Sequence, residues 1–104
     1  MLYSAERENV EYFMRRLYRQ RLTTTSGGNL SCRAGTGHIS ITGSGSDKAE
    51  IQAEAVVVMT CEGENVTPEV RPSIESAMHL EIYRRHPWVQ AVVHAHPTTA
   101  SLFC

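Results

Sequence analysis

On either side of Ala34-Gly35-Thr36-Gly37 the chain alternates apolar and polar side chains, at residues 30–33 and again at 38–42. That alternation confines it to a β-hairpin, because a strand turns successive side chains to opposite faces. The flanks read differently. Residues 4–21 place Val10, Phe13, Met14, Leu17 and Tyr18 at steps of three, one, three and one, with Glu and Arg on the other face, which is a helical spacing. Ser4 is the expected cap of that helix, with Glu6 and Glu8 at its positive end. Val56-Val57-Val58-Met59-Thr60 reads as a buried strand, and Glu62-Gly63-Glu64-Asn65 as the turn after it. A short helical turn is expected near residues 49–53. Beyond a loop bracketed by Pro68 and Pro72, Ser73 is expected to cap a helix over 74–85. Ala77, Met78, Leu80 and Ile82 would face inward, and His86-Pro87 would end it. Residues 90–96 complete the pattern as a strand whose buried stretch is Ala91-Val92-Val93. Helix, two strands, turn, strand, helix and strand make an α/β fold, a mixed sheet flanked by helices.

Size and charge narrow the function classes. A chain of 104 residues suffices for one small domain. Ten basic and eleven acidic residues leave a formal charge of −1, so no global field attracts nucleic acid. Arg15, Arg16, Arg19 and Arg21 crowd one stretch, which suits either a phosphate contact or, more commonly, a solvated helix face. The longest apolar run, residues 55–59, falls far short of the roughly 20 residues that span a bilayer. After Met1-Leu2-Tyr3 the N-terminus turns polar, without the apolar core of a signal peptide. The expected location is cytoplasmic, away from membranes. Cys32, Cys61 and Cys104 form neither a disulfide framework nor a CxxC clip, and Cys32 and Cys61 are expected as small apolar fillers of strands.

His94-Ala95-His96 carries the sharpest chemical signal. Two residues apart on a strand means one face, with the Cα atoms about 6–7 Å apart, so both imidazoles can converge on one divalent ion. Two unrelated polar residues at a strand end would look the same. Glu75 and His79 lie four apart near the start of the preceding helix and so share its face. A carboxylate there can be a ligand, a proton-transferring base, or simply a first-turn residue matched to the helix dipole. Gly27-Gly28-Asn29 and Gly43-Ser44-Gly45 can each form a concave nest for an anion, joined by the hydroxyl of Ser73. Ordinary turns use the same residues, and neither loop matches a nucleotide-binding fingerprint.

Taken in order, Gly28-Asn29-Leu30-Ser31, Ile41-Thr42-Gly43-Ser44-Gly45, Pro72-Ser73-Ile74-Glu75, His79 and Ala91-Val92-Val93-His94-Ala95-His96-Pro97 resemble the class II aldolase/adducin head family. The resemblance implies a three-layer class II aldolase-like fold, truncated, with residues 1–104 as its N-terminal portion. It implies that His94 and His96 are two of three zinc-binding histidines, the third absent from the chain. Glu75 takes the place of the catalytic acid/base, and Asn29, Ser44, Gly45 and Ser73 match the binders of the substrate phosphate. The implied activity is reversible aldol cleavage of a ketose phosphate, such as fuculose 1-phosphate, to dihydroxyacetone phosphate and an aldehyde. Zn2+ would polarise the oxygens and stabilise the enediolate. Another divalent metal, a family epimerase, dehydratase or decarboxylase, and a non-catalytic adducin-like member are the alternatives. Ile74 departs from the second serine common in the sugar-phosphate aldolases. Family members are usually tetramers, so a homo-oligomer is expected. An incomplete domain, as the truncation implies, would associate through its uncovered sheet edge.

Overall fold

The computed structural model describes residues 1–24, 27–45 and 47–95. In chain order the elements are α1 (Ser4–Arg19), β1 (Asn29–Ala34), β2 (His38–Thr42), a single 3-10 turn (Ala53–Ala55), β3 (Val56–Thr60), α2 (Ser76–Arg85) and β4 (Ala91–His94). The four strands form one sheet in the order β3-β2-β1-β4, and each neighbouring pair is antiparallel. β1 and β2 are the expected hairpin, with Ser31 opposite Ile41 and Ala34 opposite His38.

The helices cover opposite faces of this sheet. Val10 and Met14 of α1 pack with Leu30, Ile51 and Val56. Leu80 and Tyr83 of α2 pack with Ile39, Ile41, Val57 and Met59 on the other side. Alternate residues of β3 therefore enter different cores, which explains why Val56, Val57 and Val58 are all buried without polar interruption. Sheet and helices make three layers. Arg7 is buried at the first interface, where its guanidinium donates to the carbonyls of Ala53 and Glu54 at 3.2 and 3.3 Å and ties α1 to the 3-10 turn. Among the described residues no helix is long and apolar enough to cross a membrane.

Several local expectations are revised. The N-cap of α1 is Tyr3, in a left-handed conformation at φ 49°, while the Ser4 hydroxyl turns back to the Met1 carbonyl at 2.5 Å. The helix stops at Arg19, and Arg16, Arg19 and Arg21 are exposed, which favours the solvated-face reading. α2 starts at Ser76, later than residue 74, although Ser73 Oγ still accepts from the Glu75 amide at 3.2 Å. The helical turn expected near residues 49–53 lies slightly later, as the 3-10 turn.

The inward stripe of α2 is the larger correction. Ala77 and Met78 are exposed and Ile82 is half-buried, whereas His79, Leu80 and Tyr83 are buried. Both stripes obey the helical period, and hydropathy alone favours the wrong one. The polar pair is tolerated inside because the sheet supplies hydrogen-bond partners for it. In β4, where Ala91-Val92-Val93 is the expected buried stretch, Ala91 and Val93 are exposed and only Val92 joins the α2-side core. His96 and Cys104 lie outside the described residues.

Candidate functional site

One end of the sheet gathers most of the residues singled out above. Thr42, at the end of β2, accepts the Ser73 amide through its carbonyl at 3.2 Å, and the Ser44 amide donates to the Arg71 carbonyl at 2.8 Å. Gly43 and Pro72 form a β-bridge between these bonds. The stitch fastens residues 71–73 beside the Gly43-Ser44-Gly45 loop, so the hydroxyls of Ser44 and Ser73 reach one place. It also occupies the Ser44 and Ser73 amides, which therefore differ from the open backbone nest that the loop sequence suggests.

A cleft of about 180 Å³ lies there, lined by Gly28, Asn29, Gly43, Ser44, Gly45, Lys48, Ser73, Ile74 and Glu75. Its walls are mostly polar. Gly45 takes φ +73°, a conformation that side chains other than glycine's rarely adopt. Gly28 takes φ +81°, and a Cβ there would lie 2.5 Å from Thr23 Cγ2 and 3.0 Å from the His94 carbonyl oxygen. Glycine at 28 thus lets the loop before β1 close down on the end of β4.

Lys48 was not anticipated at this site. It is the sole lysine of the chain and only 5% exposed. Burial pushes its ammonium below the ordinary value, against the opposing pull of the Asp47 charge. Its sequence signal was slight: one lysine two residues beyond a glycine-serine loop, whose fold back into the cleft depends on tertiary packing.

Glu75 and His94 meet directly. Glu75 is the N-cap residue of α2 and His94 the last residue of β4, and the Oε2 of one contacts the Nδ1 of the other. Both are about one-third exposed, at 33% and 29%. A carboxylate at the start of α2 and the strand histidine therefore lie together. His96, the second expected metal ligand, is outside the described residues. Among the described residues no group of three or more His, Cys, Asp and Glu side chains could hold a metal ion. His94 and Glu75 supply an imidazole and a carboxylate, chemically suited to zinc but short of the three protein ligands of a catalytic centre.

His79 has a different partner set. It is fully buried, with Nδ1 2.6 Å from Ser31 Oγ and Nε2 in contact with Asn29 Oδ1. Burial, opposed by the nearby Glu75 charge and aided by His94, lowers its pKa to about 4. The ring is neutral at pH 7, and since an amide oxygen only accepts, Nε2 carries the proton and Nδ1 accepts from Ser31. Tyr83 then donates to Ser31 Oγ at 2.8 Å. Burial drives the Tyr83 phenol up to about 12, so it remains a donor across the ordinary pH range.

Residues 8–104 match the Class II Aldolase and Adducin N-terminal domain, and the chain belongs to that family. It is 35% identical over 97 residues to 5-deoxy-D-ribulose 1-phosphate aldolase of Bacillus thuringiensis serovar kurstaki, covering 92% of this chain and 46% of that protein. It is likewise 35% identical over 88 residues to methylthioribulose-1-phosphate dehydratase of Gluconacetobacter diazotrophicus, covering 85% and 43%. Among solved structures, an L-fuculose 1-phosphate aldolase superposes with a TM-score of 0.88 at 35% identity, over 96% of this chain and 48% of the other. The fold is thus the three-layer class II aldolase-like one. This chain spans about half the length of the relatives it matches.

Proposed function

We propose that residues 1–104 form the N-terminal portion of a zinc-dependent sugar-phosphate aldolase, which reversibly cleaves a ketose phosphate such as fuculose 1-phosphate to dihydroxyacetone phosphate and an aldehyde. The observation that carries this reading is a polar cleft that joins Asn29, Ser44, Gly45, Ser73, Lys48 and Glu75, with His94 against Glu75. The cleft takes the phosphate. Hydroxyls of Ser44 and Ser73 donate to its oxygens, and the ammonium of the buried Lys48 offsets their charge. Glu75, beside the phosphate and not among its donors, moves the proton at the carbon next to the carbonyl.

His94 and His96 hold zinc together with a histidine outside this sequence, and the metal, when bound, supplies a Lewis acid for the substrate oxygens. On this reading the 104-residue chain alone binds zinc weakly and has little activity, and the working enzyme is a homo-oligomer. Tight stoichiometric zinc uptake by this chain in calorimetry would contradict the assignment of an absent third ligand.

Inorganic phosphate tests the cleft. Titrated into the chain, it is expected to move the amide resonances of Gly28, Asn29, Gly45 and Ser73, and Lys48→Ala is expected to weaken it about tenfold. Shifts confined to the exposed arginines of α1 would end the reading. A second reaction is favoured by one observation: a relative of equal identity is a dehydratase acting on methylthioribulose 1-phosphate. Supplying the C-terminal half of a family member, with zinc, separates the two. Dihydroxyacetone phosphate released from a ketose 1-phosphate supports the aldolase, and loss of water from the sugar supports the dehydratase. Neither product would favour an adducin-like scaffold.

A further inference from the structure

The buried hydrogen-bond chain from Tyr83 through Ser31 and His79 reaches the cleft at Asn29, and the proposed chemistry gives Tyr83, Ser31 and His79 no role of their own. We infer that His79 is a positioning residue for the anion site: its Nε2–H holds the Asn29 amide by Oδ1, so that the Asn29 Nδ2 donors face the cleft. The inference deepens the phosphate reading given above and rests on it.

An asparagine amide is nearly symmetric in shape and can present either end to a ligand. One end accepts hydrogen bonds and the other donates them, so only one orientation suits a phosphate. Asn29 is 4% exposed and lines the cleft, while its Oδ1 is taken by the buried ring of His79. The planar amide then directs its nitrogen away from His79, toward the cleft it lines. That orientation also sets the direction of the protons. Tyr83 donates to Ser31, Ser31 donates to Nδ1, and the neutral ring keeps its one proton on Nε2. Reversing any link would leave two acceptors or two donors facing each other in a buried site.

The helix places this support economically. His79 stands one turn beyond Glu75 on α2, and Asn29 stands opposite His94 in the β1–β4 register. Each helix residue therefore engages one member of a paired strand position: Glu75 meets His94, and His79 meets Asn29. Asn29 is thereby oriented by the same helix that carries the proposed base.

The test uses the 104-residue chain labelled with 15N. The expected His79 pattern is a neutral ring protonated on Nε2, and inorganic phosphate is expected to shift the Asn29 side-chain NH2 resonances. His79→Gln keeps an N–H donor within reach of Asn29 and is expected to bind phosphate within about twofold of the parent. His79→Leu removes the donor and is expected to weaken phosphate about fivefold, the size of one lost hydrogen bond. Should His79→Leu not fold, Ser31→Ala carries the test, with a mixture of His79 tautomers and weaker phosphate binding expected. An Nδ1-protonated ring in the parent would overturn the inference. So would unchanged phosphate affinity in a folded His79→Leu, or an unaltered tautomer and affinity in Ser31→Ala. If phosphate binds the parent cleft and one of these results appears, the positioning role alone falls. If phosphate leaves every cleft resonance of the parent untouched, the phosphate reading itself falls and takes the inference with it.

Discussion

His79 shows how far a single side chain can depart from its sequence appearance. In the sequence it is a histidine four residues after Glu75 that shares one helix face with it. In the fold both ring nitrogens are committed, to Ser31 and to Asn29, and the ring is neutral at pH 7. Of the residues the sequence singles out, Asn29, Ser44, Gly45, Ser73 and Glu75 line the cleft and His94 contacts Glu75. Lys48 and the Ser31–Tyr83 pair were not legible, because their neighbours lie far away along the chain. The depressed pKa of His79 has a thermodynamic consequence. The unfolded chain takes up the proton near pH 6.5 and the folded chain only near pH 4. The unfolded state therefore binds more protons in between, and stability falls as pH drops through that window. The expected loss is of order 3 kcal/mol between pH 7 and pH 4, with the contribution fully present above pH 6.5. Urea titrations at half-unit pH steps measure it. A flat stability across that window would mean the ring titrates in the folded chain as it does in water.

At the scale of elements, the hairpin and β3 were readable because their patterns depend on nearest neighbours and local turn chemistry. The inward face of α2 was not, since two stripes one residue out of phase fit the same period and hydropathy prefers Met78 and Ile82 to His79 and Tyr83. Sheet position then separates elements that look alike in sequence. β2 is flanked by β1 and β3, whereas β4 pairs with β1 alone among the described strands. Amide hydrogens of Ile39, Ile41 and Val57 are therefore expected to exchange through global unfolding, and those of β4 that do not pair with β1 through local opening. Exchange followed by NMR should separate the two sets by a factor of at least about 100. Equal protection in β2 and β4 would indicate that something else covers the β4 edge.

For the molecule as a whole, the surface feature that bears most on its behaviour in solution is apolar. An apolar groove of about 420 Å³ runs between α1 and the β1–β4 edge, lined by Val10, Phe13, Leu17, Leu30 and Val93. Phe13 and Val93 are 46% and 52% exposed there. Apolar surface of this kind favours association. Light scattering is expected to show concentration-dependent growth beyond the monomer mass, reduced by Phe13→Glu. A monomer that stays clean at millimolar concentration would refute it. The strand order has a last consequence. It sets Asn29 beside His94, although 65 positions of chain separate them, and the cleft also draws on the loops near 45 and 73. The pocket exists only where these distant segments meet, so an anion that fills it binds the folded chain and not the unfolded one. Each tenfold rise in anion above its dissociation constant should lift the chain's stability by about 1.4 kcal/mol, which makes the melting temperature itself a gauge of occupancy.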